Sequence, residues 1–144
     1  MKATIVSAGG VASRVRIGSH ELTFDQPVPV PGGEDEGPSP LDVMAVAVGA
    51  CAHYYAAAFL FGRKLSAEGV RVEVEFDKVR DPVPRIGRLS MRVVLPSSVP
   101  PEYHQGIERA VRHCPAYGTL KHPPEVVLEI EASPERLASE TPAA

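Results

Sequence analysis

Apolar and polar residues alternate near the start of the chain. Val11, Ser13, Val15 and Ile17 alternate with Ala12, Arg14 and Arg16, and His20–Phe24 repeats the pattern after Gly18-Ser19. A two-residue period with a Gly-containing break predicts a hairpin of strands Val11–Ile17 and His20–Phe24, with Ala3–Ser7 as a further strand. The three prolines of Gln26–Pro31 exclude a central strand. They lead into Gly32-Gly33-Glu34-Asp35-Glu36-Gly37-Pro38, a loop whose three acids should be solvated. Ser39-Pro40-Leu41-Asp42 then opens a helix: serine caps it, proline occupies a position that needs no amide, and Asp42 can close a capping box. The helix is expected to run to about Lys64. Val43, Met44, Ala47, Val48, Cys51, Tyr55, Ala58 and Leu65 fall on one stripe, but Val46, Ala50, Ala52, Ala56 and Ala57 make the other faces nearly as apolar. A helix apolar all round is buried all round, by its own sheet or by a second subunit.

The second half is more regular. Val70, Val72, Val74 and Phe76 alternate with Arg71, Glu73, Glu75 and Asp77, which predicts a strand over Val70–Val79. Leu89–Leu95 should pair with it as an antiparallel ribbon. Pro100-Pro101-Glu102 opens a second helix with Tyr103, Ile107, Ala110 and Val111 inward, ending near His113. Cys114-Pro115 can cap a short helix reaching Leu120, and Val126–Ile130 reads as a last strand. Residues 1–132 are expected to form one α+β domain, with 133–144 a tail that frays.

Composition narrows the function classes. The chain has 144 residues, a net charge of -3, 44% apolar and 23% charged residues. That balance offers no basic stripe for nucleic acid. The uncharged run Val43–Ala52 is far short of the roughly 20 residues that cross a bilayer. Without a signal-peptide pattern after Met1, a cytoplasmic location is expected. Arg71, Arg80, Arg85, Arg88 and Arg92 cluster on the ribbon, either as a solvated face or as a surface for an acidic partner.

Cys51 and Cys114 are the only two cysteines. They are too few for a four-cysteine zinc site, and His53, His104, His113 and His122 stand at no standard ligand spacing, so no metal or other cofactor is expected. The pair can be two buried small hydrophobes. If the sulfurs meet, one can attack an oxidant and the other resolve the sulfenic acid as a disulfide. Cys51 lies on an apolar helix face and needs a cation or donor cluster from elsewhere. Cys114 would sit at a helix N-terminus, where free amides lower a thiol pKa.

Gly-Gly-x-x-x-Gly-Pro-Ser-Pro-Leu-Asp over 32–42, the Ala-rich helix bearing Cys51, and Cys-Pro-x-x-x-Thr-Leu at Cys114–Leu120 resemble the OsmC/Ohr family over roughly residues 2–131. Ala67-Glu68-Gly69-Val70 adds to the likeness. The resemblance implies an OsmC-like α+β fold, with antiparallel sheets around a long central helix, in an intertwined homodimer with sites at the subunit interface. It also implies a thiol peroxidase acting on organic hydroperoxides in oxidative-stress defence, with Cys51 peroxidatic, Cys114 resolving and an external dithiol as reductant. The organic-hydroperoxide branch carries a glutamate after the helix-opening proline and an arginine after an early Gly-Gly. Here those positions are Leu41 and Val11, which places the chain nearer the broader OsmC-like branch. Arg14, Arg16 and Asp42 are the candidates to stabilise the thiolate in their place. The rival reading is a non-catalytic homodimer holding an apolar ligand in the interface pocket.

Overall fold

The computed structural model describes residues 2–132. The tail expected at 133–144 lies outside the described residues. Alternation at the start becomes a meander of β1 (Thr4–Gly9), β2 (Ala12–Ile17) and β3 (His20–Phe24), paired antiparallel in that order. Ile17 faces His20 across the turn, where Gly18 takes φ 60°, a left-handed conformation that suits glycine. Ala12 and Val15 are buried, whereas β1 is exposed along its whole length, Ile5 and Val6 included.

Asp25, directly after β3, is buried and organises the loop that follows. Its carboxylate accepts the amides of Gln26 at 2.7 Å, Glu34 at 3.0 Å and Glu36 at 3.1 Å. The Asp35 amide adds a bond to the Gln26 carbonyl at 3.1 Å. The Gly/acid loop is thus wrapped around one carboxylate, and its own acids point to solvent as expected. Those amides hold the Asp25 pKa below the ordinary carboxylate value, against the opposing pull of burial.

Helix α1 spans Pro40–Phe61, 22 residues, and starts as the sequence predicts, with Ser39 Oγ accepting the Asp42 amide at 3.3 Å. It ends short of Lys64. The Gly62 amide closes the last turn on the Ala58 carbonyl at 3.0 Å, and Lys64 sits in the left-handed region at φ 60°. The core-facing stripe also differs from the expected one. Ala45, Val48, Gly49, Ala52, Ala56 and Leu60 are buried, while Met44, Val46, Tyr54 and Phe61 are exposed. The smaller residues face inward because the sheet approaches closely: a Cβ on Gly49 would collide with the Val74 side chain.

That sheet is β4 (Arg71–Val79) with β5 (Arg85–Val94), antiparallel, with Val72 opposite Val93 and Val74 opposite Met91. The strand expected at Leu89 starts earlier, at Arg85, and the register shifts at Asp77/Lys78. A single 3-10 turn (Pro101–Tyr103) leads into α2 (His104–Arg112), which buries Ile107 and Val111, and α3 (Pro115–Lys121) follows. Ala52, Ala56, Leu60, Val70, Val99, Ile107 and Val111 form one core between α1, the ribbon and α2. By length and composition α1 could cross a bilayer. Its packing against β4, β5, α2 and α3 instead makes it the central helix of a small α+β domain.

The strand expected at Val126–Ile130 does not form. No backbone pairing is assigned there, and Val126, Val127, Leu128 and Ile130 are all exposed, Ile130 to 92%. A strand needs a partner edge as well as propensity, and none meets this segment among the described residues.

Because the folded Asp25 pKa is depressed, its contribution to stability is present above the unfolded value of about 3.9 and is lost as pH falls through the folded value. Asp25→Asn should lower the melting temperature at pH 7 on the order of 5 °C. The gap from the parent protein should close as thermal melts are repeated below about pH 4. Equal melting temperatures at pH 7 would show that the carboxylate does not hold the loop.

Candidate functional site: a cysteine pair between two helices

Cys51 lies midway along α1, half-buried. Cys114 occupies the N-cap of α3, with φ -60° and ψ 129°, and is only 1% exposed. Its place follows from local chemistry. Pro115 can neither continue α2 nor waste an amide, so the chain turns at Cys114 and restarts as α3. The Cys114 amide still donates to the Val111 carbonyl at 3.0 Å, and its carbonyl accepts the Gly118 amide at 2.9 Å. The residue therefore belongs to both helices and is fixed by both.

The two thiols are neighbours, and both cysteines are free. Burial pushes the Cys114 thiol above its ordinary value, and the neighbouring Cys51 pushes it the same way. The amides of Tyr117 and Ala116, at the start of α3, pull it down but do not prevail. The expectation that a helix start would lower this pKa is therefore corrected: desolvation outweighs two amides.

The other expected groups are elsewhere. Arg14 pairs with Glu21 at 3.4 Å and Arg16 with the same carboxylate at 3.5 Å, on the exposed meander. The strands of that meander pack chiefly on one another. Asp42 pairs with Lys78 of β4 at 2.6 Å, and this contact holds its carboxyl below the usual value. It lies about two and a half turns before Cys51, roughly 14 Å along the axis and on the opposite side. Asp42 is thus a helix-start and strand-anchoring residue, not a partner of the thiol. His53 is exposed, and His113 Nδ1 lies 2.7 Å from the Arg109 carbonyl. Among the described residues no three His, Cys, Asp or Glu side chains gather as a metal site.

Residues the sequence did not single out as a unit support the pair. Arg112 Nε and Nη2 donate to Glu108 at 3.0 and 2.8 Å, and Tyr117 of α3 lies near Arg112. The last turn of α2 thus stands beside the helix that carries Cys114. The Glu108–Arg112 spacing was a readable signal, but the Tyr117 contact depends on the turn at Cys114. Beside the pair, a depression of about 660 Å³ opens between α1, β5 and α3. Val48 and Tyr117 on its wall stand one helical turn from Cys51 and Cys114 respectively.

A family model described as OsmC-like protein matches residues 33–129, a span that includes both cysteines. No curated protein matches the chain. Among solved structures, a candidate osmotic stress induced and detoxification response protein from Psychrobacter arcticus superposes with TM-score 0.73 at 16% identity, covering 83% of this chain and 87% of its own. An organic hydroperoxide resistance protein OsmC from Legionella pneumophila gives TM-score 0.63 at 16% identity, covering 83% and 88%. An organic hydroperoxide resistance protein from Elizabethkingia anophelis gives 0.57 at 22% identity, covering 81% and 85%. These likenesses establish the fold.

The difference in burial between the sulfurs sets their accessibility. With N-ethylmaleimide at pH 7.5, Cys51 should be modified at least about tenfold faster than Cys114, and the two rates should converge once the protein is unfolded. Peptide mapping after timed quenching reads both sites. Equal rates in the folded protein would contradict the burial of Cys114.

Proposed function

The chain belongs to the OsmC-like family, and from that premise we propose that it is a thiol-dependent peroxidase reducing organic hydroperoxides through Cys51 and Cys114. The observation that carries the reading is the asymmetric sulfur pair. One thiol is half-buried, and the other is fully buried, biased toward its protonated form and a neighbour of the first.

In this mechanism the Cys51 thiolate attacks the distal peroxide oxygen. The O–O bond breaks, the alkoxide takes a proton and leaves as alcohol, and Cys51 becomes a sulfenic acid. The Cys114 sulfur then attacks the sulfenic sulfur. Its proton and the departing hydroxide form water, and a Cys51–Cys114 disulfide remains. An external dithiol reduces that bridge by exchange. Both cysteines being free suits a reducing cytoplasm, and that location is part of the same reading.

Reduced protein mixed with tert-butyl hydroperoxide should lose two thiols per peroxide consumed. Cys51→Ser should slow consumption by at least about a thousandfold, as expected for loss of the nucleophile. Cys114→Ser should consume one equivalent and stop at a sulfenic acid that dimedone traps. If the parent protein and Cys51→Ser react equally slowly, the peroxidase reading fails. The rival, a non-catalytic ligand-binding dimer, is favoured by the fact that Arg14, Arg16 and Asp42 are engaged elsewhere. It predicts no thiol loss in the parent protein.

The intertwined homodimer belongs to the same proposal. Met44, Val46, Tyr54 and Phe61 on α1, Ile5 and Val6 on β1, and residues 126–130 leave apolar surface uncovered in the single chain. Such surface marks an interaction site. Sedimentation velocity at micromolar concentration should give a dimer, and a monomer would overturn the intertwined arrangement.

A further inference from the structure

Cys114 owes its place to the way α2 ends. Helices commonly close on a glycine in the left-handed region, but the positive-φ residues of the described chain all lie elsewhere. α2 closes instead on His113, at φ -90° and ψ 3°. The His113 amide donates to the Arg109 and Ala110 carbonyls at 3.2 and 3.1 Å, and the Cys114 amide takes the Val111 carbonyl at 3.0 Å. The imidazole then folds back over the same turn, with Nδ1 2.7 Å from the Arg109 oxygen.

A carbonyl oxygen can only accept, so Nδ1 carries the hydrogen and Nε2 is the neutral ring's acceptor. One oxygen thus takes both the backbone and the ring N–H of the same residue, which restrains the side chain and, through it, the backbone of His113. The chain passes from there directly into Cys114, at φ -60° and ψ 129°, where Pro115 forbids a continuation of α2. From the other side, the Gly118 amide donates to the Cys114 carbonyl at 2.9 Å, and Thr119 Oγ1 donates to the Pro115 carbonyl at 2.9 Å. His113 is exposed, so its ring contributes a bond to this corner rather than core packing.

We propose that His113 is a positioning residue for Cys114: its ring holds the end of α2 in the direction that brings the buried sulfur beside Cys51. That the pair turns over peroxide rests on the peroxidase reading above. That His113 sets the approach of the two sulfurs does not. Joining two sulfurs demands close alignment, and a misplacement of about 1 Å can cost on the order of a hundredfold in rate. A single exposed hydrogen bond restrains only part of that freedom, so loss of the ring donor should slow closure by about fivefold.

Diamide tests the geometry without peroxide. It adds to the half-buried Cys51 sulfur, the Cys114 sulfur displaces it, and it leaves as its hydrazine with the two electrons and two protons of the thiols. In the reduced, full-length protein, His113→Phe keeps a ring and loses the donor, and loss of the second thiol should slow about fivefold. His113→Asn, whose Nδ2 can stand where Nδ1 does, should restore the parent rate. Alkylation of Cys51 by N-ethylmaleimide should be equal in all three proteins, because nothing around that sulfur has changed. With tert-butyl hydroperoxide and dimedone, the ratio of Cys51 adduct to disulfide should rise by the same factor in His113→Phe alone. Parent-like closure in His113→Phe overturns the proposal, as does equal slowing in both variants or a matching change in Cys51 alkylation. Slow diamide closure that asparagine restores, in a protein that consumes no peroxide, would sustain the positioning role and sink the peroxidase. Parent-like closure in a protein that does consume peroxide would do the opposite.

Discussion

The domain depends on how closely α1 lies against β4. A 22-residue helix packs on a two-stranded ribbon through alanine and glycine, and at Gly49 even a methyl group would strike Val74. Small residues at the contact bring the backbones together, and the larger apolar side chains are displaced to the helix edges and far face. Overfilling such a contact typically costs about 1–3 kcal/mol, because neighbouring side chains leave their rotamers. The same close contact fixes the rotation of α1 about its axis. That rotation decides that Cys51 meets α3 while Asp42 meets Lys78.

The second sulfur is positioned differently. Cys114 sits at a corner between two helices, held by the core residues Ile107 and Val111 on one side and by Pro115 on the other. Glu108, Arg112 and Tyr117 lie together across that corner. Opposing electrostatic effects act on this one atom. Amides at the start of α3 favour the thiolate, while burial and a neighbouring sulfur oppose it, and the thiol form prevails. Desolvation acts on the whole charge, whereas two amides offer only partial dipoles.

What could be read in the sequence was the part governed by neighbours along the chain. His20–Phe24, the Ser39-Pro40 helix start and the restart at Cys114-Pro115 follow from alternation and capping, and all three form. The buried face of α1 did not follow, because a helix apolar on every side carries no phase in its pattern. Asp25 gave no signal: a single carboxylate before Gln26-Pro27 becomes an organiser only when Glu34 and Glu36 fold back onto it. Val126–Ile130 has strand composition but meets no edge among the described residues. Proximity of the two sulfurs is a tertiary fact that the family likeness suggested and residue counting could not. Arg14, Arg16 and Asp42 carry charge that the sequence alone leaves unplaced, and nearby opposite charges claim each of them.

The nearness of the two thiols also bears on damage. A sulfenic acid formed on Cys51 would face two competitors, a second peroxide from solution or the sulfur already beside it. Well-oriented intramolecular partners can act as if present at about 10⁵ M or more, far above any peroxide in solution. Condensation should therefore outrun the further oxidation to sulfinic acid that would retire the residue permanently. Under the proposed mechanism the buried cysteine would be a safety catch, returning the half-buried one to a recoverable state before excess oxidant could destroy it.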